Sequence, residues 1–188
     1  MPIVNFDQVV DDSLLQVLKI MAVSVKTAPK ARGIDRLQTL IVTGEEINTL
    51  ASEMEKLKDV MPGFERDALN VRNSKAVLLV GFKGGKGYNL NCGGCGYRDC
   101  KDFEENVVRK TDWAFTGPSC IYDLINLGIA LGSAVKTASN LNVDNRVMFT
   151  VGVAAKRLKL MDADVIIGVP ISSYGKSIYF DRVWPPKK

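Results

Sequence analysis

The sequence predicts an α+β domain in which a sheet flanked by helices is interrupted by a glycine- and cysteine-rich loop. Three observations lead there. Apolar residues recur at helical spacing near both ends of the chain, two short apolar runs have the length of strands, and the middle carries an irregular segment with seven of the sixteen glycines between Gly81 and Gly96. On this reading residues 1–82 and 121–188 form the two halves of the α+β domain, and residues 83–120 form a cofactor-binding insertion.

Along the chain, residues 7–25 read as a helix, with Val10, Leu14, Leu15, Val17, Leu18, Met21 and Val25 on its inner face. Pro29 and Gly33 then mark a basic loop, T-A-P-K-A-R-G-I-D. Leu37 to Val42 suits a strand. Thr43 with Glu46 reads as a capping box opening a helix that runs to about Val60 and is ended by Pro62 and Gly63. A short helix is expected over 65–71 and a strand buried on both faces over 75–82. Further helices are expected over 99–109, from Cys120 to Asn140 with Leu124, Leu127, Leu131 and Val135 inward, and over 145–158. Residues 112–118 read as a loop, 164–169 as a strand, and 172–181 as a loop with a short strand. The prolines of the V-W-P-P-K-K tail cannot continue regular structure.

The chemistry is concentrated in one stretch. C-G-G-C-G-Y-R-D-C is followed by nineteen residues and then Cys120, and the chain has no other cysteine and no histidine. Each iron of a cubane cluster needs one outside thiolate. A two-residue gap presents Cys92 and Cys95 to adjacent irons, a four-residue gap carries the chain round to Cys100, and Cys120 closes the fourth corner. A [4Fe-4S] cluster is therefore the leading reading. Structural zinc usually draws on two C-x2-C knuckles and only one is present, so a four-cysteine zinc site is the alternative, with disulfides third. The glycine run is not a P-loop, being one residue short and lacking Ser or Thr after Lys86. It also misses the dinucleotide fingerprint, because position 90 is Leu.

Composition narrows the function classes. Hydrophobic residues at 46% and charged residues at 24% are those of a globular domain, and no apolar run reaches membrane-spanning length. The first residues lack a basic segment followed by an apolar core, so a cytoplasmic protein with reduced thiols is expected. A net charge of +4 without a dense Lys/Arg run does not suggest nucleic acid. Without histidine the commonest general base is missing, and no acid–base pair can be named. Tyr88, Tyr97 and Asp99 lie near the cysteines and read as supporting residues.

Two resemblances bear on this. C-G-G-C-G-Y-R-D-C-K-D-F with G-P-S-C further on resembles the short 4Fe-4S domain of corrinoid iron–sulfur proteins and of ferredoxin-reducing electron-transport complexes. That domain's four ligands match Cys92, Cys95, Cys100 and Cys120. Here Asp112, Trp113 and Phe115 stand where that domain has a small-residue helix. More widely, the helix, A-P-K-A-R-G loop, strand and capped helix, with a G-V-P strand end at the rear, resemble the flavin-dependent nitroreductase fold. The combination is similar to a family of ferredoxin-domain-containing proteins from anaerobic bacteria and archaea.

The resemblance implies a nitroreductase-like mixed sheet and a homodimer with FMN at its interface. It also implies electron transfer to a redox partner protein or small-molecule acceptor, and so an iron–sulfur and flavin oxidoreductase. The R-R-S-x-R phosphate grip of nitroreductases is missing, and Lys26, Lys30, Arg32 and Lys176 are the residues that could replace it. A non-catalytic cluster-containing sensor or binding module is the other functional class that the same cysteines allow.

Overall fold

A computed structural model describes residues 5–180. The V-W-P-P-K-K tail lies outside the described residues. Thirteen elements follow one another: α1 (Phe6–Thr27), a 3-10 turn (Ala31–Gly33), β1 (Leu37–Thr43), α2 (Glu45–Glu55), α3 (Gly63–Arg72), β2 (Ala76–Phe82), α4 (Cys100–Asn106), β3 (Lys110–Thr111), β4 (Thr116–Gly117), α5 (Ile121–Asn140), β5 (Asp144–Asn145), α6 (Phe149–Arg157) and β6 (Val165–Ser172). The main sheet has the order β1-β2-β6-β5. The α+β architecture is as expected, and within it every strand pairing among the described residues is antiparallel rather than mixed.

β2 is the middle of the molecule, and all seven of its residues are buried. Successive side chains of a strand point to opposite faces. Leu78 and Val80 therefore meet α1 and α5 through Leu18, Met21, Ala130 and Ala134. Val77 and Leu79 meet the other layer through Leu50, Met54, Phe64 and Val151. The result is one sheet between two helical layers. α6 lies so close to β6 that a Cβ on Gly152 would stand 1.6 Å from the Ile166 carbonyl oxygen. Only glycine fits there.

Several boundaries differ from the sequence reading, each for a local reason. Thr43 is not an N-cap. It stays in β1 paired with Ala76, and Gly44, at φ 62°, makes the turn into α2. α2 ends at Glu55, after which Leu57 and Val60 bond three residues back in tight turns. Pro62 and Gly63 start α3 rather than end α2, because proline's missing N–H costs nothing at a helix start. The expected helix over 99–109 is confined to Cys100–Asn106. Residues 110–117 form a small hairpin rather than a loop. On α5 Leu124 faces outward, 49% exposed, while Leu127 and Leu131 are buried as expected. Residues 144–145 pair with Ile171 and Ser172, and Met148 bridges Gly168, so the helix expected from 145 begins only at Phe149. β6 runs on through Pro170 to Ser172, and no strand follows among the described residues. Leu15 sits at the rim of the α1 stripe rather than in the core.

The register fixes where the ends meet. Phe82, the last residue of β2, is paired with Leu37 at the start of β1 and with Val165 at the start of β6. Arg36, Gly84 and Asp164 thus lie at one end of the sheet. The C-terminal end of α1 and the N-terminal end of α5 join them there, through a hydrogen bond from the Ala31 N–H to Asn126 Oδ1 at 2.9 Å. The glycine-rich loop leaves β2 at this end.

Candidate metal centre

The loop after β2 does not wander into solvent. Asp164, just before β6, accepts from the Gly84 N–H at 2.8 Å, and Glu104 of α4 accepts from the Gly87 N–H at 2.8 Å. Asn89 and Asn91 adopt left-handed conformations at φ 52° and 49°, which asparagine tolerates better than most residues. Asp99 caps α4 by accepting from the Asp102 N–H at 2.8 Å, so Cys100 becomes the first residue of that helix. Asn91 Oδ1 takes the Cys100 N–H at 3.1 Å.

Cys92, Cys95, Cys100 and Cys120 all line one cavity, together with Gly87, Tyr88, Leu90, Phe103 and Tyr122. Cys92 is exposed and Cys95 half-buried, whereas Cys100 and Cys120 are 8% and 3% exposed. All four are free thiols, so the disulfide reading is not what the structure shows. Gly87 is held against Cys100 with no room for a side chain.

The path to Cys120 is set by Arg109. Its guanidinium pairs with Asp164 at 2.8 Å, donates to the carbonyl of Pro118 at 2.9 Å, and reaches the Thr116 carbonyl and Ser119 Oγ at 3.4 Å. The hairpin that replaces a small-residue helix is anchored by its aromatic tip. Trp113 packs edge-on to Phe64 and Phe149 at ring separations of 6.5 and 5.9 Å, and Phe115 to Phe149 at 5.4 Å. Cys120 then stands as the N-cap residue of α5.

The electrostatics of the cavity suit a cationic guest. Burial raises the Cys120 thiol pKa, and the Asp123 carboxylate and the Cys95 and Cys100 sulfurs push it the same way against the Tyr122 N–H. These sulfurs cannot all ionise comfortably without positive charge between them. Burial also works against Cys100, but the N–H groups of Asn91, Leu90, Tyr88 and Asn89 outweigh it and hold that thiol below its ordinary value. Among the described residues, no three of the chain's Cys, Asp and Glu side chains are grouped as they would be around a single metal ion. Four sulfurs spread around one cavity, one of them met by a row of amides, fit an iron–sulfur cluster, whose irons each take a separate thiolate.

A buried polar network backs the cavity. Tyr88 donates its phenol proton to Asp123 Oδ1 at 2.9 Å and accepts from Asn126 Nδ2 at 3.0 Å. Burial, reinforced by Asp123, pushes the Tyr88 pKa up to about 12, so the phenol remains a donor. Burial likewise raises the Asp123 pKa, against the Tyr88 hydrogen bond and the charges of Arg36 and Arg109. Tyr97 packs edge-on to Phe103 at 5.4 Å.

The four cations chosen for a flavin are not gathered in one chain. Lys30 is buried and donates to the Val25 and Lys26 carbonyls at 2.6 and 2.5 Å, closing the end of α1. Lys26 pairs with Asp35 at 2.7 Å. Arg32 reaches the carbonyls of Tyr88 and Asn89 at 3.2 and 3.4 Å. Lys176 follows Tyr174, which lies beside Phe6, Asp7 and Val10 at the other end of α1, a helix about 33 Å long at 1.5 Å per residue. Sequence reasoning missed Arg36, Arg109 and the two asparagines. The alternation Y-N-L-N-C, with residues that tolerate positive φ, was the available signal for the asparagines.

Comparison with known proteins decides the family. Residues 116–182 match the model of an "Uncharacterized protein containing a ferredoxin domain (DUF2148)", and residues 89–113 match one described as "Putative Fe-S cluster". A protein of Archaeoglobus fulgidus described as "Uncharacterized protein" is 47% identical over 170 residues, covering 90% of each chain. This chain belongs to the DUF2148 family of ferredoxin-domain-containing proteins.

Its fold is nitroreductase-like. The nitroreductase CinD of Lactococcus lactis, solved with nicotinic acid, superposes with a TM-score of 0.59 at 15% identity over 86% of this chain and 78% of its own. A nitroreductase from Desulfitobacterium hafniense, solved with bound FMN, gives 0.53 at 12% identity over 86% and 79%. The iron–sulfur match spans Cys92, Cys95 and Cys100, and the DUF2148 match begins four residues before Cys120. No helix among the described residues is long and apolar enough to cross a membrane.

Proposed function

We propose that this chain is an iron–sulfur redox protein that binds one [4Fe-4S] cluster through Cys92, Cys95, Cys100 and Cys120. The observation that carries the reading is the meeting of all four cysteines, two of them buried, on the lining of one cavity. Such a cluster, when bound, accepts and donates one electron at a time. The protein's own part is to position and tune. Arg109 fixes the approach to Cys120, amides face Cys100, and Phe103, Tyr88 and Tyr122 exclude water from the buried side. Cys92 and Cys95 form the side open to an electron donor or acceptor, either a redox protein or a small molecule.

The nitroreductase-like fold supports a homodimer with FMN at the interface. On α5 the exposed Leu124, Ile125 and Ile129 accompany Gly128 and Gly132, which have open space before them, and a second copy of the chain would cover this apolar strip. Within one chain Lys26, Lys30, Arg32 and Lys176 do not fit an FMN phosphate grip. The flavin half of the proposal therefore rests on the fold, and no flavin step is drawn from these residues.

Anaerobic purification with iron, sulfide, zinc and flavin measured together tests both halves. About four iron and four sulfide per chain are expected. About one zinc without sulfide would overturn the cluster. A monomer that takes up no added FMN would remove the flavin dimer and leave the cluster standing.

A further inference from the structure

We infer that Arg32 and Arg36 set the reduction potential of the cluster by holding four successive peptide planes of the loop so that their N–H groups face the Cys100 side. The inference rests on the cluster reading above and concerns how this chain tunes it.

Two guanidinium groups lie along the back of the loop. Arg36 donates to the carbonyls of Lys86 and Gly87 at 2.8 and 2.7 Å. Arg32 takes the next two carbonyls, those of Tyr88 and Asn89, at 3.2 and 3.4 Å. A trans peptide is planar, with its C=O and N–H pointing to opposite sides. Fixing a carbonyl therefore aims the N–H of the following residue. The four N–H groups so aimed belong to Gly87, Tyr88, Asn89 and Leu90. The first donates to Glu104 Oε1 at 2.8 Å, and the other three, with the Asn91 N–H beyond them, belong to the loop that lies against Cys100 and favour its thiolate.

Ordinary extended backbone would alternate these N–H groups from side to side. Asn89, at φ 52°, supplies the left-handed step that makes a concave nest, and Asn91, at φ 49°, supplies another. That conformation costs a non-glycine residue about 1–2 kcal/mol. The arginines offset the cost from behind: Arg36 meets its two carbonyls with the two Nη atoms of its planar fork, a geometry lysine lacks, and Arg32 shares Nη1 between its two. Arg36 is itself fixed, 4.1 Å above the Tyr88 ring and 3.7 Å from Asp123 Oδ1.

Hydrogen bonds to a ligating sulfur favour the more negative, reduced state of a cluster and so raise its potential. The side chain singled out from sequence as a flavin grip thus serves the cluster from behind its loop.

The experiment is an EPR-monitored redox titration of the loaded protein, with iron and sulfide quantified, for wild type, Arg32→Gln, Arg36→Lys and Lys26→Gln. Arg32 is exposed, so its variant keeps the fold, and Arg36→Lys keeps a positive charge beside Asp123. Arg32→Gln and Arg36→Lys are expected to shift the midpoint potential to more negative values at unchanged iron content, and Lys26→Gln to leave it in place. Arg36→Lys at the wild-type potential would mean that charge alone acts and would overturn the inference. Arg32→Gln at the wild-type potential would overturn it equally. A wild type that takes up no iron and sulfide overturns the cluster reading as well, so the two failures are distinguishable.

Discussion

A Cβ placed on Gly87 would stand 2.7 Å from the Cβ of Cys100 and 2.9 Å from its sulfur. Two segments thirteen residues apart are therefore in contact at the wall of the cavity, with no side chain between them.

Gly87→Ala is expected to push Cys100 out of place. Overpacking of this kind costs about 1–3 kcal/mol. Iron and sulfide per chain after anaerobic purification should fall well below wild type, while far-ultraviolet circular dichroism of the body is retained.

Gly152→Ala tests the fold rather than the site. Its Cβ would collide with the Ile166 backbone at 1.6 Å, and a carbonyl in the sheet cannot yield as a flexible side chain can. A loss at or above the usual overpacking range, about 3 kcal/mol, is expected. Urea denaturation should show the midpoint shift, or the variant should fail to accumulate as soluble protein.

Tyr88→Phe removes the hydroxyl that joins Asp123 to Asn126. Both partners are buried, and Asp123 Oδ2 already lacks a hydrogen bond. Stranding their remaining polar atoms should cost about 1–3 kcal/mol. A denaturation midpoint unchanged from wild type would refute this account of the network.

Glu53 ties α2 to α6. It accepts from Lys56 at 2.8 Å and from Arg157 at 2.6 Å. These hydrogen bonds, Lys56 first and then Arg157, hold its pKa below the ordinary 4.5. A carboxylate with a depressed folded-state pKa contributes stability above its unfolded value and loses it as pH falls through the folded one. Glu53→Gln should therefore be less stable at pH 7 by about 1 kcal/mol, since both cations remain half in water. The gap should close on acidification below pH 4.5. Thermal melts from pH 7 down to pH 3 check the sign.

The strand and helix content was legible because burial imposes a period. The α1 stripe and the unbroken apolar run of β2 could fold in few other ways, and both stand where the pattern put them. Element ends were less legible, because they depend on partners far along the chain. Thr43 has the residue type of an N-cap, yet its pairing with Ala76 keeps it in the sheet. Asn145 reads as the start of a helix, yet β6 takes it, with Asp144, as a strand.

What the sequence alone determined is the candidate set of ligands: four cysteines at cluster spacing, with no histidine to compete and glycines and asparagines able to turn the loop. Only the tertiary structure decided what surrounds them. Arg32, read as a phosphate grip, faces carbonyls of the loop, and Arg109, which carried no motif, steers Cys120. A thiolate's suitability as a ligand belongs to the residue itself. The direction of a guanidinium is set by which carbonyls and carboxylates the sheet register brings within its reach, and that register is a property of the whole chain.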